Sequence, residues 1–134
     1  MMNYGCEGLN VVISGGTSGI GLATAEKFLR DGANVYILGR SVLRGALAVQ
    51  KLLAKTERTA VYIPCDVTSV EECRKAVVSI GGAIHILVNA AGVYMEQRLE
   101  NVTEADIANI FDTNVKGTML LTQASLPFMY GRGS

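Results

Sequence analysis

The feature that most constrains this chain of 134 residues is Leu9 to Gly21, LNVVISGGTSGIG, where a short apolar run enters a turn holding Gly15, Gly16, Gly19 and Gly21 and then a helical pattern. A strand that ends in glycines and passes directly into a helix is built to hold a phosphate. The first N–H groups of a helix have no internal partners and carry about half a positive charge, so an anion there is stabilised. Glycine serves such a turn in three ways: it accepts positive φ, it lets the main chain approach a ligand with no Cβ in the way, and it packs helix close to strand. The spacing of Gly15, Gly19 and Gly21 is GxxxGxG, preceded by the small hydroxyl residue Ser14, and not the GxGxxG usual in dinucleotide-binding turns.

The rest of the chain alternates strand and helix. Ile20, Ala23, Phe28 and Leu29 have near-helical period and Gly32 sits at a C-terminal cap, which predicts a helix over Ile20 to Asp31. Asn34 to Leu38 reads as a second strand. Ser41 reads as the N-cap of a helix from about Val42 to Lys55, with Leu43, Leu47 and Leu52 or Leu53 on its apolar side and Gly45 weakening it. Thr59 to Ile63 reads as a third strand, followed by a loop, Pro64 to Val67. Ser69 opens a helix with Glu71 and Glu72 in its first turn, where the dipole favours them, and Gly81-Gly82 ends it. Ile84 to Val88 is an almost continuous apolar run, as expected of a strand covered on both faces. Thr103 and Asp106 approximate a capping box opening a long helix to about Met129, along which run Ile107, Ile110, Phe111, Val115, Met119, Leu120 and Leu126.

Four strands alternating with helices predict an α/β fold with a doubly wound parallel, Rossmann-like sheet in the order 3-2-1-4. The glycine turn, Gly39-Arg40, Asp66-Val67 and Asn89 to Gly92 then all fall at the C-terminal ends of strands and line one crevice. The chain reads as a single domain, 1–134, without repeats or linkers.

Basic and acidic residues balance at twelve each with no basic block, so neither a nucleic-acid footprint nor a membrane-binding patch is expected. No stretch approaches the roughly 20 apolar residues of a membrane span, and the N-terminus has no signal pattern, so the expectation is a cytoplasmic protein. Cys6, Cys65 and Cys73 lack CxxC spacing and are read as reduced and mostly buried, with no metal site. His85 at the start of the fourth strand is read as structural. Tyr94 and Met95 are placed at the border of a substrate pocket or as loop anchors, and Tyr4, Tyr36 and Tyr62 are given no catalytic role.

With Ser14 before it, the GxxxGxG turn resembles the TGxxxGxG of the short-chain dehydrogenase/reductase family, and further segments follow in the family's order from Leu9 to Met129. The resemblance implies that Gly15, Thr17, Ser18, Gly19, Ile20 and Gly21 hold the cofactor's phosphates. It implies that Asp66, with Val67, accepts from the adenine amino group. Asn89, Ala90, Ala91 and Gly92 (NAAG) resemble the family's NNAG, whose small residues lie against the adenine ribose; Ala90 departs from it and loses side-chain hydrogen bonds. Asn114, in NVKG, matches a catalytic Asn whose main-chain carbonyl holds a water in a proton relay. An NAD-binding chain usually ends strand two with a carboxylate, which repels a 2′-phosphate; here Gly39 leaves room, Arg40 can pair with phosphate and Ser41 can donate to it, so NADP(H) is expected over NAD(H).

The family's catalytic Ser and Tyr-x-x-x-Lys are absent from this sequence, which closes on Gly131 to Ser134, similar to the loop before the family's fifth strand. The expectation is therefore the cofactor-binding half of an oxidoreductase moving hydride between NADP(H) and a small carbonyl or alcohol substrate, with little turnover alone. The alternatives are a non-catalytic nucleotide-binding or interaction module, a truncated fragment without function, and another Rossmann-like binder. The apolar fourth strand would present an unpaired outer edge, so the isolated chain is expected to associate or to be unstable unless another copy, another chain or the missing half covers that edge.

Overall fold

The structure, a computed structural model, describes residues 5–93 and 97–130. Tyr4, Tyr94, Met95 and Gly131 to Ser134 lie outside the described residues. Strands β1 (Asn10–Ser14), β2 (Asn34–Gly39), β3 (Val61–Pro64) and β4 (Ile86–Asn89) alternate with helices α1 (Gly19–Arg30), α2 (Val42–Thr56) and α3 (Val70–Ile80). After β4 come α4 (Glu104–Phe111) and α5 (Gly117–Ser125). The sheet is parallel, in the order β3-β2-β1-β4, with Ile13 level with Ile37 and Val88.

Strand alternation sorts the core into two layers. Val11 and Ile13 pack with Val35, Ile37, Ala25, Leu29 and Leu52 beneath α1 and α2. Val12 and Leu38 pack with Val67, Cys73, Val77, Ile84 and Leu121 beneath α3 and α5. Covered on both faces, β1 is the most deeply buried strand, with Val11, Val12 and Ile13 wholly enclosed. Burying each such side chain stabilises the fold by roughly 1.5–3 kcal/mol.

Several boundaries and faces differ from those expected. The third and fourth strands each begin two residues later, because their ladders start at the pairs Tyr36–Val61 and Val11–Ile86. On α2 the buried side is Gly45, Ala48 and Leu52, while Leu43, Leu47 and Leu53 are exposed. Gly45 does not weaken this helix. A Cβ there would lie 2.5–2.6 Å from three ring atoms of Tyr62, so the glycine admits the ring and turns that side of the helix inward. Ile20 and Ala23, expected in the apolar stripe of α1, are exposed; Leu29 is buried as expected, together with Gly21 and Ala25.

The long C-terminal helix is interrupted. Thr103 and Asp106 form a reciprocal capping box at the start of α4, but residues Asp112–Lys116 form one π-helical turn before α5. Along this stretch Thr113, Gly117, Leu121 and Ser125 are buried, whereas Ile107, Phe111, Val115 and Met119 are exposed. Gly117 permits the approach: a Cβ there would lie 2.5 Å from Val67 Cγ2.

Candidate functional site

The C-terminal ends of the strands enclose a cavity of about 570 Å³, within the range of small-molecule sites. Its floor is the turn from Gly15 to Gly21. Gly15 has φ +67°, a conformation that L side chains rarely adopt, and a Cβ on it would meet the Ala90–Ala91 peptide at 2.7 Å. A Cβ on Gly21 would overlap the Gly15 carbonyl oxygen. The turn can therefore close only without side chains at these positions.

The start of α1 differs from those of α2, α3 and α4. Ser41, Ser69 and Thr103 each accept a main-chain N–H at the head of their helices. Ser18, the N-cap of α1, makes no such bond, and the first turn of α1 has no acidic residue. The positive end of this helix opens on the cavity, where Thr17, Ser18, Gly19 and Ile20 are lining residues. That is the arrangement suited to a phosphate.

Arg40 and Ser41 line the wall above β2, and Arg44 joins them from the first turn of α2. Ser41 caps that turn by accepting from Arg44 N at 3.2 Å. Asp66 and Val67 line the wall above β3. Asp66 Oδ1 accepts from Thr68 N at 3.0 Å and from Thr68 Oγ1 at 2.7 Å. Burial acts to raise the Asp66 carboxyl, but these bonds and the charge of Arg40 outweigh it and hold the group below its ordinary value. The carboxylate is thus ionised and faces the same cavity as Arg40.

Above β4, Ala90, Ala91 and Gly92 line the cavity, and Ser14 Oγ anchors them by accepting from Ala91 N at 3.2 Å. Asn89 is not a lining residue; its side chain turns to α5 and donates to Thr122 Oγ1 at 3.1 Å. Asn114 likewise stands behind the wall. Its side chain bonds the main chain of Val93 in both directions, and its carbonyl accepts from Thr118 Oγ1 at 3.1 Å. The lining residues Leu38, Arg44, Cys65, Val93 and Thr113 were not anticipated. Of these, only Arg44 carried a sequence signal, a cation in the first turn behind the Ser41 cap.

Cys65 and Cys73 are buried free thiols, and Cys73 Sγ donates to the Val67 carbonyl oxygen at 3.4 Å. The neighbouring Cys73 thiol, followed by burial, pushes Cys65 well above the ordinary thiol value, so it is a poor nucleophile at neutral pH. His85 lies at the opposite end of the sheet, where Nδ1 accepts from Asn10 N at 2.9 Å; the role is structural. Among the described residues no helix is long and apolar enough to cross a membrane, and no three His, Cys, Asp or Glu side chains are grouped to hold a metal ion.

A family model described as short chain dehydrogenase matches residues 9–134. Over 131 residues the chain is 36% identical to an uncharacterised oxidoreductase of Methylorubrum extorquens, covering 96% of this chain and 53% of that one. It is 32% identical over 123 residues to a 3-dehydrosphinganine reductase of Arabidopsis thaliana, covering 92% of this chain and 37% of the relative. Among solved structures, L-sorbose reductase from Gluconobacter frateurii, complexed with NADPH and L-sorbose, superposes with a TM-score of 0.87 at 30% identity, covering 98% of this chain and 51% of that chain. The chain spans about half the length of the first curated relatives it matches.

Proposed function

The chain belongs to the short-chain dehydrogenase family, and from that premise we propose that it is the cofactor-binding half of an NADP(H)-dependent oxidoreductase acting on a small carbonyl or alcohol substrate. The observation that carries the reading is the uncapped N-terminus of α1, opening on a glycine turn with no room for a side chain at Gly15 or Gly21, in one cavity with Arg40, Ser41 and Arg44. In this reading the N–H groups of residues 16–21 hold the pyrophosphate. Arg40, Ser41 and Arg44 take the 2′-phosphate, and the ionised Asp66 accepts from the adenine amino group. Ala90, Ala91 and Gly92 give the ribose a flat main-chain wall. The bound nicotinamide supplies the hydride, exchanged with the substrate carbon. Asn114 offers its main-chain carbonyl to a relay water, and its side chain keeps the Val93 loop closed.

The sequence has no Tyr-x-x-x-Lys, so this chain by itself is expected to bind cofactor and to show little turnover. β4 has no strand on its outer side among the described residues; in this reading the remaining half, another chain or a second copy covers that edge, and light scattering over a range of protein concentrations checks whether the isolated chain self-associates. The deciding experiment for the cofactor is equilibrium binding of NADPH and NADH to the purified chain, by calorimetry or nucleotide fluorescence. Saturable binding that favours NADPH supports the reading. A folded chain that binds neither nucleotide overturns it.

A further inference from the structure

Tyr62 touches both stretches of main chain that carry the basic rim of the cavity. From β3 its phenol donates to the Gly39 carbonyl at 2.6 Å, and the same carbonyl accepts the ladder bond from Cys65 N at 2.9 Å. Two donors on one carbonyl occupy both lone pairs and hold the Gly39–Arg40 peptide against rotation. The ring packs beneath the first turns of α2, against Gly45, where a Cβ would lie 2.5 Å from Cγ. The hydroxyl thus fixes the exit of β2 and the ring fixes the entry of α2. Arg40 and Ser41 lie between these two anchors, and Arg44 directly precedes Gly45.

Arg40 and Arg44 are long, exposed side chains. Whether two such groups meet on one anion is decided by the main chain that carries them, and a site with loose support loses that convergence first. Tyr62 does not line the cavity, so it acts through these neighbours. Burial, and then Cys65, raise its phenol above the ordinary value, so it remains a donor to Gly39 across the neutral range.

We propose that Tyr62 is a positioning residue for cofactor selectivity: its hydroxyl and ring set the spacing between the end of β2 and the start of α2, so that Arg40, Ser41 and Arg44 converge on a 2′-phosphate. The inference rests on the NADP(H) reading above and adds a residue behind the site that controls it.

The test is the ratio of NADPH to NADH affinity in the wild-type chain, Tyr62→Phe, Gly45→Ala and Arg40→Ala, with thermal unfolding recorded for each. Tyr62→Phe keeps the ring and removes one hydrogen bond; NADPH binding is expected to weaken roughly fivefold while NADH binding stays within about twofold. Gly45→Ala perturbs the same support from the helix side by displacing the ring, and is expected to narrow the ratio even if the Phe variant fails to fold. A purely structural role would lower the unfolding temperature and weaken both nucleotides by the same factor. That result, or an unchanged ratio in both variants while Arg40→Ala abolishes the preference, overturns the role of Tyr62 and leaves the phosphate site standing. A wild-type chain that binds NADPH no better than NADH removes the reading and the inference together.

Discussion

The side-chain amide of Asn114 grips the main chain of Val93 from both directions: Oδ1 accepts from Val93 N at 2.7 Å and Nδ2 donates to Val93 O at 2.8 Å. The bond pair spans 21 residues of sequence and ties the cavity wall that follows β4 to the π-helical turn before α5. Gly92 belongs to the same fit, since a Cβ there would lie 3.2 Å from Asn114 Oδ1. The side chain of Asn114 therefore has a mechanical task distinct from the relay role proposed for its carbonyl.

Asn114→Ala leaves the Val93 N–H and C=O without these partners. A loss of about 1–3 kcal/mol is expected in chemical denaturation, with weaker nucleotide binding as the wall loosens. Asn114→Asp keeps the acceptor but sets an oxygen against Val93 O, so it is expected not to rescue. An unchanged denaturation midpoint for Asn114→Ala would show that the grip carries no stability.

Gly21→Ala places a methyl group against the Gly15 carbonyl, on main chain that cannot rotate away. Destabilisation of about 2 kcal/mol or more is expected, together with loss of nucleotide binding. Gly82→Ala is the control, because a Cβ there meets nothing closer than 3.8 Å. Equal stability of the two variants would remove the argument that the turn needs a bare main chain.

In the NADP(H) reading, Arg40→Ala is expected to weaken NADPH binding roughly tenfold or more and to leave NADH binding within about twofold, since the charged hydrogen bond proposed to the 2′-phosphate is lost. The difference should shrink with added salt, because the side chain is exposed. Calorimetric titrations at two ionic strengths check both statements.

Asp66 links the cavity to acid stability. Its folded value lies below the ordinary carboxylate value, so the bonded carboxylate contributes stability that is fully present above about pH 4, the unfolded value, and is lost as pH falls through the folded value. Asp66→Asn is expected to flatten that acid limb of the stability profile. Arg40→Ala, by removing a charge that favours the ionised form, is expected to move the limb to higher pH. Thermal melts from pH 2 to pH 7 would reveal a limb that neither variant alters.

His85→Ala leaves the Asn10 N–H without its partner at the base of β1. A loss of about 1–2 kcal/mol is expected with no change in nucleotide affinity, because the site lies at the far end of the sheet. A variant that unfolds as readily as the wild type but binds NADPH more weakly would reverse the structural assignment.

Much of this fold was legible in the sequence because its signals are local. Ser41, Ser69 and the Thr103–Asp106 pair cap the helices expected of them, and Gly32 and Gly81 adopt the positive φ that stops one. These bonds join residues three or four apart, and the residue types alone favour them. The features that differed from expectation were settled by a distant neighbour. The leucines of α2 have helical period, yet the buried side is the one that Tyr62 meets at Gly45. The helix expected to run unbroken to Met129 carries a π turn, beside Gly117 packed on Val67. Asn89 sits in a recognisable motif, but its side chain goes to Thr122.

The sequence by itself determined the alternation of strands and helices, the parallel order 3-2-1-4 and the placing of the glycine turn at a strand end. The alternation and the glycine turn follow from hydrophobic period and capping chemistry within single elements, and the order from crossover handedness together with the doubly wound pattern, which sets β4 beside β1. The segments that line the cavity were legible as strand ends; only the tertiary structure decided which side chains within and around them face it, with Asn89 turned away and Arg44, Val93 and Thr113 brought in. Ser14 meets Ala91 across 77 residues and Tyr62 meets Gly39 across 23, and packing settles such encounters through shape and hydrogen bonds that no short stretch contains.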